Sequence, residues 1–98
     1  MIFDEVDVGI GGAVAEVVGS LLQKLSADVQ VLCVTHLPQV ACKGGTHLRV
    51  AKSGDATSVY TDVHGLQRDE RVEEIARMLG GVTISDTTRA HARDMLGA

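Results

Sequence analysis

Met1-Ile2-Phe3-Asp4-Glu5-Val6-Asp7-Val8-Gly9-Ile10-Gly11-Gly12 opens the chain, and its reading decides the fold. An apolar run stops at two adjacent carboxylates, and a glycine-rich turn follows. Buried parallel strands read as continuous apolar runs of about 4–8 residues, so so short a run is the tail of a strand and raises the expectation of further chain upstream. Residues 13–25 then carry Val14, Val17, Val18, Leu21, Leu22 and Leu25 at i, i+3, i+4, i+7 spacing, which predicts a helix with one apolar stripe. Ser26-Ala27-Asp28 ends it. Residues 29–34 (VQVLCV) are largely apolar and β-branched, which predicts a second strand buried on both faces. Strand, helix and strand in this order make a right-handed βαβ unit.

Working outward, Thr35-His36-Leu37-Pro38 breaks the second strand, and Pro38 suits the first turn of a short helix over 37–41. Residues 47–52 and 57–63 both alternate, and Ser53-Gly54-Asp55-Ala56 between them reads as a hairpin loop. Leu48 and Val50 lie on one strand's apolar face; Val59, Thr61 and Val63 lie on the other's. Residues 68–79 form an amphipathic helix with Val72, Ile75, Ala76 and Leu79 inward, closed by Gly80-Gly81. Ser85 or Asp86 caps a last helix running through Ala90, Ala92, Met95 and Leu96. The fold class is α/β, and residues 1–98 form a single subdomain without internal repeat or linker.

Composition narrows the function classes. Of 98 residues, 45% are hydrophobic, but there is one Phe, one Tyr and no Trp, so the core is aliphatic. Nine Lys+Arg against 13 Asp+Glu give a net charge of −4, which argues against this piece alone neutralising a phosphate backbone. No apolar run approaches the roughly 20 residues of a membrane span, and no secretory signal opens the chain. Two cysteines, Cys33 and Cys42, are too few for a disulfide scaffold; a reducing cytoplasm is expected, with Cys33 acting as a small buried hydrophobe.

The chemistry concentrates at two strand ends. Carboxylates at the carboxyl edge of a parallel strand face the crevice where α/β sheets bind ligands. A hydrated Mg²⁺ takes one or two carboxylates plus waters and phosphate oxygens. Asp4 suits that metal role, and Glu5 suits polarising a water that attacks a γ-phosphate. His36 ends the neighbouring strand and so borders the same crevice, where an imidazole donates to a terminal phosphate oxygen. The plainer alternatives are acids that open a solvated loop and a histidine satisfied by a backbone carbonyl. Cys33, His36, Cys42 and His47 also invite a zinc site, but strand alternation and the lack of a C-x-x-C pair oppose it. Arg68, Arg71 and Arg77 read as solvated or paired with Asp69, Glu70, Glu73 and Glu74; Arg89, His91 and Arg93 read as a solvated face.

Together with Val34-Thr35-His36-Leu37-Pro38-Gln39-Val40-Ala41 and Val72-Glu73-Glu74-Ile75-Ala76-Arg77-Met78-Leu79-Gly80-Gly81, the opening segment resembles the C-terminal ATPase lobe of the RecN family of bacterial DNA repair proteins, SMC relatives with an ABC-type head. The resemblance implies a partial P-loop NTPase fold: the C-terminal lobe of such a head, built from a βαβ unit, an antiparallel hairpin and C-terminal helices. It implies ATP and Mg²⁺ as cofactors. Asp4 ends the Walker B strand and serves the metal, Glu5 is the catalytic carboxylate, and His36 senses the γ-phosphate. Asp7 to Gly12 corresponds to the D-loop at the interface between heads, and nucleotide contacts are implied at Asp4, Asp7, Gly9, Gly11 and Gln39. The wider pattern places an Asp at about Gly11, so backbone contacts are expected there instead. The implied partners are the N-terminal half of the head, a second copy through the heads, and DNA through the full-length protein; no membrane is implied, and the location is cytoplasmic, at the nucleoid. No G-x-x-x-x-G-K-[ST] phosphate loop occurs in the sequence, nor an ABC signature or coiled-coil heptads. The chain alone is therefore expected neither to bind ATP tightly nor to hydrolyse it. An unpaired parallel edge also predicts dimerisation or marginal stability in isolation. The competing function is a non-catalytic interaction module that docks a partner on the βαβ edge or the last helices.

Overall fold

A computed structural model describes residues 1–4, 9–54, 57–80 and 83–97. The elements are β1 (Ile2–Asp4), α1 (Gly12–Leu25), β2 (Leu32–Val34), α2 (Pro38–Ala41), β3 (Leu48–Gly54), β4 (Val59–Gly65), α3 (Arg68–Gly80) and α4 (Asp86–Met95). β1 and β2 pair in parallel with Ile2 opposite Leu32, Phe3 opposite Cys33 and Asp4 opposite Val34. β3 and β4 form a separate antiparallel pair that brings Leu48, Val50, Val59, Thr61 and Val63 to one face. The α/β class and the order of elements are those expected from the sequence.

Several expectations need correction. The second strand was predicted over 29–34 but covers only Leu32–Val34. The amides of Ala27, Asp28 and Val29 donate to the carbonyls of Lys24, Leu25 and Leu25, so a terminal helical turn takes up residues that read as strand. Burial of β2 on both faces also fails: Leu32 and Val34 are 49% and 48% exposed and Ile2 75%, while Phe3 and Cys33 on the opposite face are half-buried. A strand is covered on both faces only where a layer packs on each, and the described residues leave one face open. Finally, Val14, Val17 and Leu21 of the apolar stripe of α1 are 53–59% exposed. The buried residues of α1 are Ala15 and Gly19. Small side chains, not the aliphatic stripe, meet α2: a Cβ on Gly19 would stand 2.9 Å from the Gln39 carbonyl oxygen and 3.3 Å from Val40 Cα.

The compact part of the core lies between α3 and α4. Val72, Ile75, Ala76 and Ala92 are buried together, with Ala41, Cys42, Leu79, Ile84, Met95 and Leu96 packed around them. Both helices begin as the sequence predicts. The Gln67 amide donates to Glu70 Oε1 at 2.8 Å, ahead of α3, and Ser85 Oγ accepts from the Thr88 amide at 3.1 Å as the N-cap of α4. Gly80 is the last residue of α3 rather than a residue beyond it, and Gly81 lies outside the described residues. Among the described residues no helix is long and apolar enough to cross a membrane.

Candidate functional site

β1 ends at Asp4, and its cross-strand partner Val34 ends β2, so two parallel strands present their carboxyl ends side by side. His36 follows Val34 by two residues, on the same rim. Both Asp4 and His36 are exposed. The chain turns at His36 because Thr35 Oγ1 accepts from the Leu37 amide at 3.0 Å and Leu37 stays extended as the N-cap of α2, with Pro38 in the first turn. Glu5 and Asp7, the expected catalytic and interface carboxylates, lie outside the described residues.

The glycine turn and α2 meet at the same end of the unit. Gly9 has φ +79°, a left-handed conformation that glycine takes without steric cost. Gly11 is the N-cap of α1, its carbonyl accepting from the Ala15 amide at 2.9 Å. A Cβ at Gly11 would meet nothing within 4 Å, so packing among the described residues does not exclude the Asp of the wider pattern. Gln39 lies against the first turn of α1: a Cβ on Gly12 would stand 3.2 Å from Gln39 Nε2. Gln39 Oε1 is buried and accepts no hydrogen bond among the described residues. An open groove of about 480 Å³ runs between α1, α2 and α4, past Gly12, Gln39, Lys43 and His91; Asp4 and His36 do not line it. Among the described residues no group of three or more His, Cys, Asp or Glu side chains is arranged to hold a metal ion.

A second polar cluster ties α2 and the hairpin to α3. Arg71 was expected to be solvated or paired locally. Instead its Nη2 donates to the Gly44 carbonyl at 2.8 Å and to the Ala41 carbonyl at 3.5 Å, at the carboxyl end of α2. These partners lie 27 and 30 residues away, so no local pattern announces them. Glu74, only 8% exposed, accepts from Arg77 one turn on and faces Arg49 of β3 at 3.6 Å. Arg89, expected on a solvated face, bonds Glu73 Oε1 at 2.7 Å and so joins α4 to α3. Burial, followed by the repulsion of Arg71, lowers the pKa of His47, whose Nδ1 is buried without a partner among the described residues. Burial pushes the Cys42 thiol up.

The hydrogen bond from Arg77 holds the Glu74 carboxyl below its ordinary 4.5, outweighing the opposing effect of burial, with Arg77, Arg49 and His47 adding charge attraction. A depressed folded-state pKa stabilises the fold at pH above the unfolded value, and that contribution is lost as pH falls through the folded value. Glu74→Gln is therefore expected to cost about 1–2 kcal/mol at neutral pH. It is also expected to flatten the fall of the urea midpoint below pH 4.5. An unchanged acid limb in the variant would show that Glu74 does not carry this linkage.

The described geometry defines a small α/β domain with a carboxylate and an imidazole at the carboxyl end of a parallel strand pair. No family model matches the chain. The chain is 55% identical over 96 residues to the DNA repair protein RecN of Xylella fastidiosa, 52% to that of Vibrio cholerae and 46% to that of Bacillus subtilis. Each match covers 98% of this chain and 17% of the relative. The chain is thus a relative of the RecN proteins throughout its length, consistent with a C-terminal segment of one.

Proposed function

We propose that residues 1–98 are the C-terminal subdomain of an SMC-like, ATP-hydrolysing head in a DNA repair protein, a partial P-loop NTPase fold that works only with the rest of that head. The observation that supports this reading best is the parallel register: Asp4 sits opposite Val34, and His36 follows two residues later. In this reading Asp4 holds a hydrated Mg²⁺, which neutralises phosphate charge when bound. A single exposed carboxylate at a strand end fits that ion, because Mg²⁺ keeps most of its waters and takes one or two carboxylates beside the phosphates. Glu5 accepts a proton from the attacking water. His36 donates to the γ-phosphate oxygen, and Gly9, Gly11, Asp7 and Gln39 shape the rim toward the nucleotide.

The phosphate loop and signature come from the N-terminal half of the head, which covers the open face carrying Ile2, Leu32 and Val34. Two heads close on each other across the glycine turn. DNA is engaged by the full-length protein in the cytoplasm, at the nucleoid, and not by this acidic chain alone. In the full-length protein, His36→Ala is expected to cut ATP turnover by about 10²-fold or more while leaving nucleotide binding within a few-fold, since it removes a donor aimed at charge that develops in the transition state. Wild-type turnover in that variant defeats the assignment of His36.

A further inference from the structure

α2 is a single turn of four residues, Pro38–Ala41. Helices this short have almost no stability of their own, because nucleation fixes several dihedrals for one hydrogen bond. The placement of α2 must therefore come from what touches it. Two independent contacts do so, one from α1 and one from α3. From α1, Gly19 lets the backbone come so close that a Cβ would stand 2.9 Å from the Gln39 carbonyl oxygen, 3.0 Å from Lys43 Cγ and 3.3 Å from Val40 Cα. Two of those atoms are backbone and cannot move aside without moving the helix. From α3, Arg71 reaches the carbonyls of Ala41 and Gly44. The Ala41 carbonyl ends α2 and also accepts from the Gly44 amide at 3.3 Å, and the Gly44 carbonyl lies in the turn just beyond, where a cation is favoured by the peptide dipoles. Val40 of α2 is buried, at 5% exposure.

His36 immediately precedes Leu37, the N-cap of α2. The Thr35–Leu37 hydrogen bond ties the residue before His36 to that cap. A shift of α2 is therefore a shift of His36. We infer that Gly19 and Arg71 are positioning residues for His36: they clamp α2 against α1 and α3 and so set where the imidazole stands on the rim. The inference rests on the proposed role of His36 at the γ-phosphate. Neither residue touches nucleotide; each acts through α2.

The test uses the full-length protein with Mg-ATP, in single-turnover assays normalised to bound nucleotide. Arg71→Met and Gly19→Ala are each expected to lower the hydrolysis rate about 10–100-fold, the loss that a displacement of about 1 Å at a reacting group brings. The Kd for ATP is expected to stay within about twofold, and Arg71→Lys to recover part of the rate, because an ammonium also donates to carbonyls. The decisive reading is the double variant. In a His36→Ala background, Arg71→Met is expected to cause no further loss, because its only route to the reaction is gone; a general structural defect would lower both backgrounds alike. Wild-type rates in Arg71→Met and Gly19→Ala, with His36→Ala inactive, overturn the clamp and leave the ATPase reading standing. Equal losses with and without His36 also overturn it. Wild-type turnover in His36→Ala instead removes the reading on which the clamp depends. A variant that folds poorly is judged on its nucleotide-binding fraction, and a wild-type rate in that fraction counts against the clamp.

Discussion

Glu5→Gln in the full-length protein is expected to bind Mg-ATP nearly as tightly as wild type and to hydrolyse it about 10²–10⁴-fold more slowly, the range that a positioned general base contributes. The substitution keeps the size and shape of the side chain and removes its negative charge and with it the capacity to take a proton. Adjacent carboxylates need not share a job. In the proposed site Asp4 answers to the metal and Glu5 to the water, so Asp4→Asn should behave differently. Its loss should appear first in Mg²⁺-dependent nucleotide affinity, with the required Mg²⁺ concentration rising. Interactions made only in the transition state lower the rate without changing ground-state binding, and interactions made in both states change affinity. Filter binding and single-turnover hydrolysis on the two variants separate the roles. Identical profiles, or a Glu5→Gln protein that turns over normally, would place the base elsewhere.

Much of the fold was legible because periodicity survives in short elements. Helix spacing in residues 13–25 and 68–79, alternation in the hairpin, and the Ser85 cap each rest on local chemistry, and the elements form there, except that Ser53 and Gly54, expected in the hairpin loop, pair with Tyr60 and Val59 as the end of β3. What local signals misjudge is which face finds a partner. The Val14, Val17 and Leu21 stripe reads as buried, yet the buried residues of α1 are Ala15 and Gly19, and α2 packs at Gly19, because one glycine allows an approach that no pattern of apolar residues encodes. The same limit hid Arg71. Its neighbours Glu70 and Glu74 made local pairing the natural reading, whereas the half-buried Arg71 finds its acceptors in backbone carbonyls at and just beyond the end of a distant helix. Of the site, the sequence supplied Asp4 and His36 as residues and the βαβ order as the reason they should meet; the parallel register supplies their common rim. The role of Gln39 at the start of α1 had no separate signal, since a glutamine in a one-turn helix carries no periodicity.

Ile75→Ala is expected to cause the largest loss of stability. Among the described residues Ile75 is the largest fully buried side chain, and its neighbours Val72, Ala76 and Ala92 are mostly too small to close over the space it would leave. Truncating a buried isoleucine costs about 2–5 kcal/mol, against a total of about 5–15 kcal/mol for a small domain. For a domain of this size that corresponds to a melting temperature lower by about 10–20 °C or more. The loss also spreads beyond packing, because α3 carries both Arg71, which holds α2, and Glu74, which holds β3. A variant in which α3 and α4 separate should therefore show faster amide exchange in α2 and in the first residues of β3 as well as in the two helices. Val17→Ala supplies the contrast. Val17 is 58% exposed, so in the chain by itself the change should stay within about 0.5 kcal/mol. If the N-terminal half of a head covers that stripe, the same change should cost more than about 1 kcal/mol in the full-length protein, as burial of its methyl groups requires. A neutral Val17→Ala in both settings would leave the stripe of α1 without a cover, whereas a neutral Ile75→Ala would mean that α3 and α4 are not held by the cluster around Ile75.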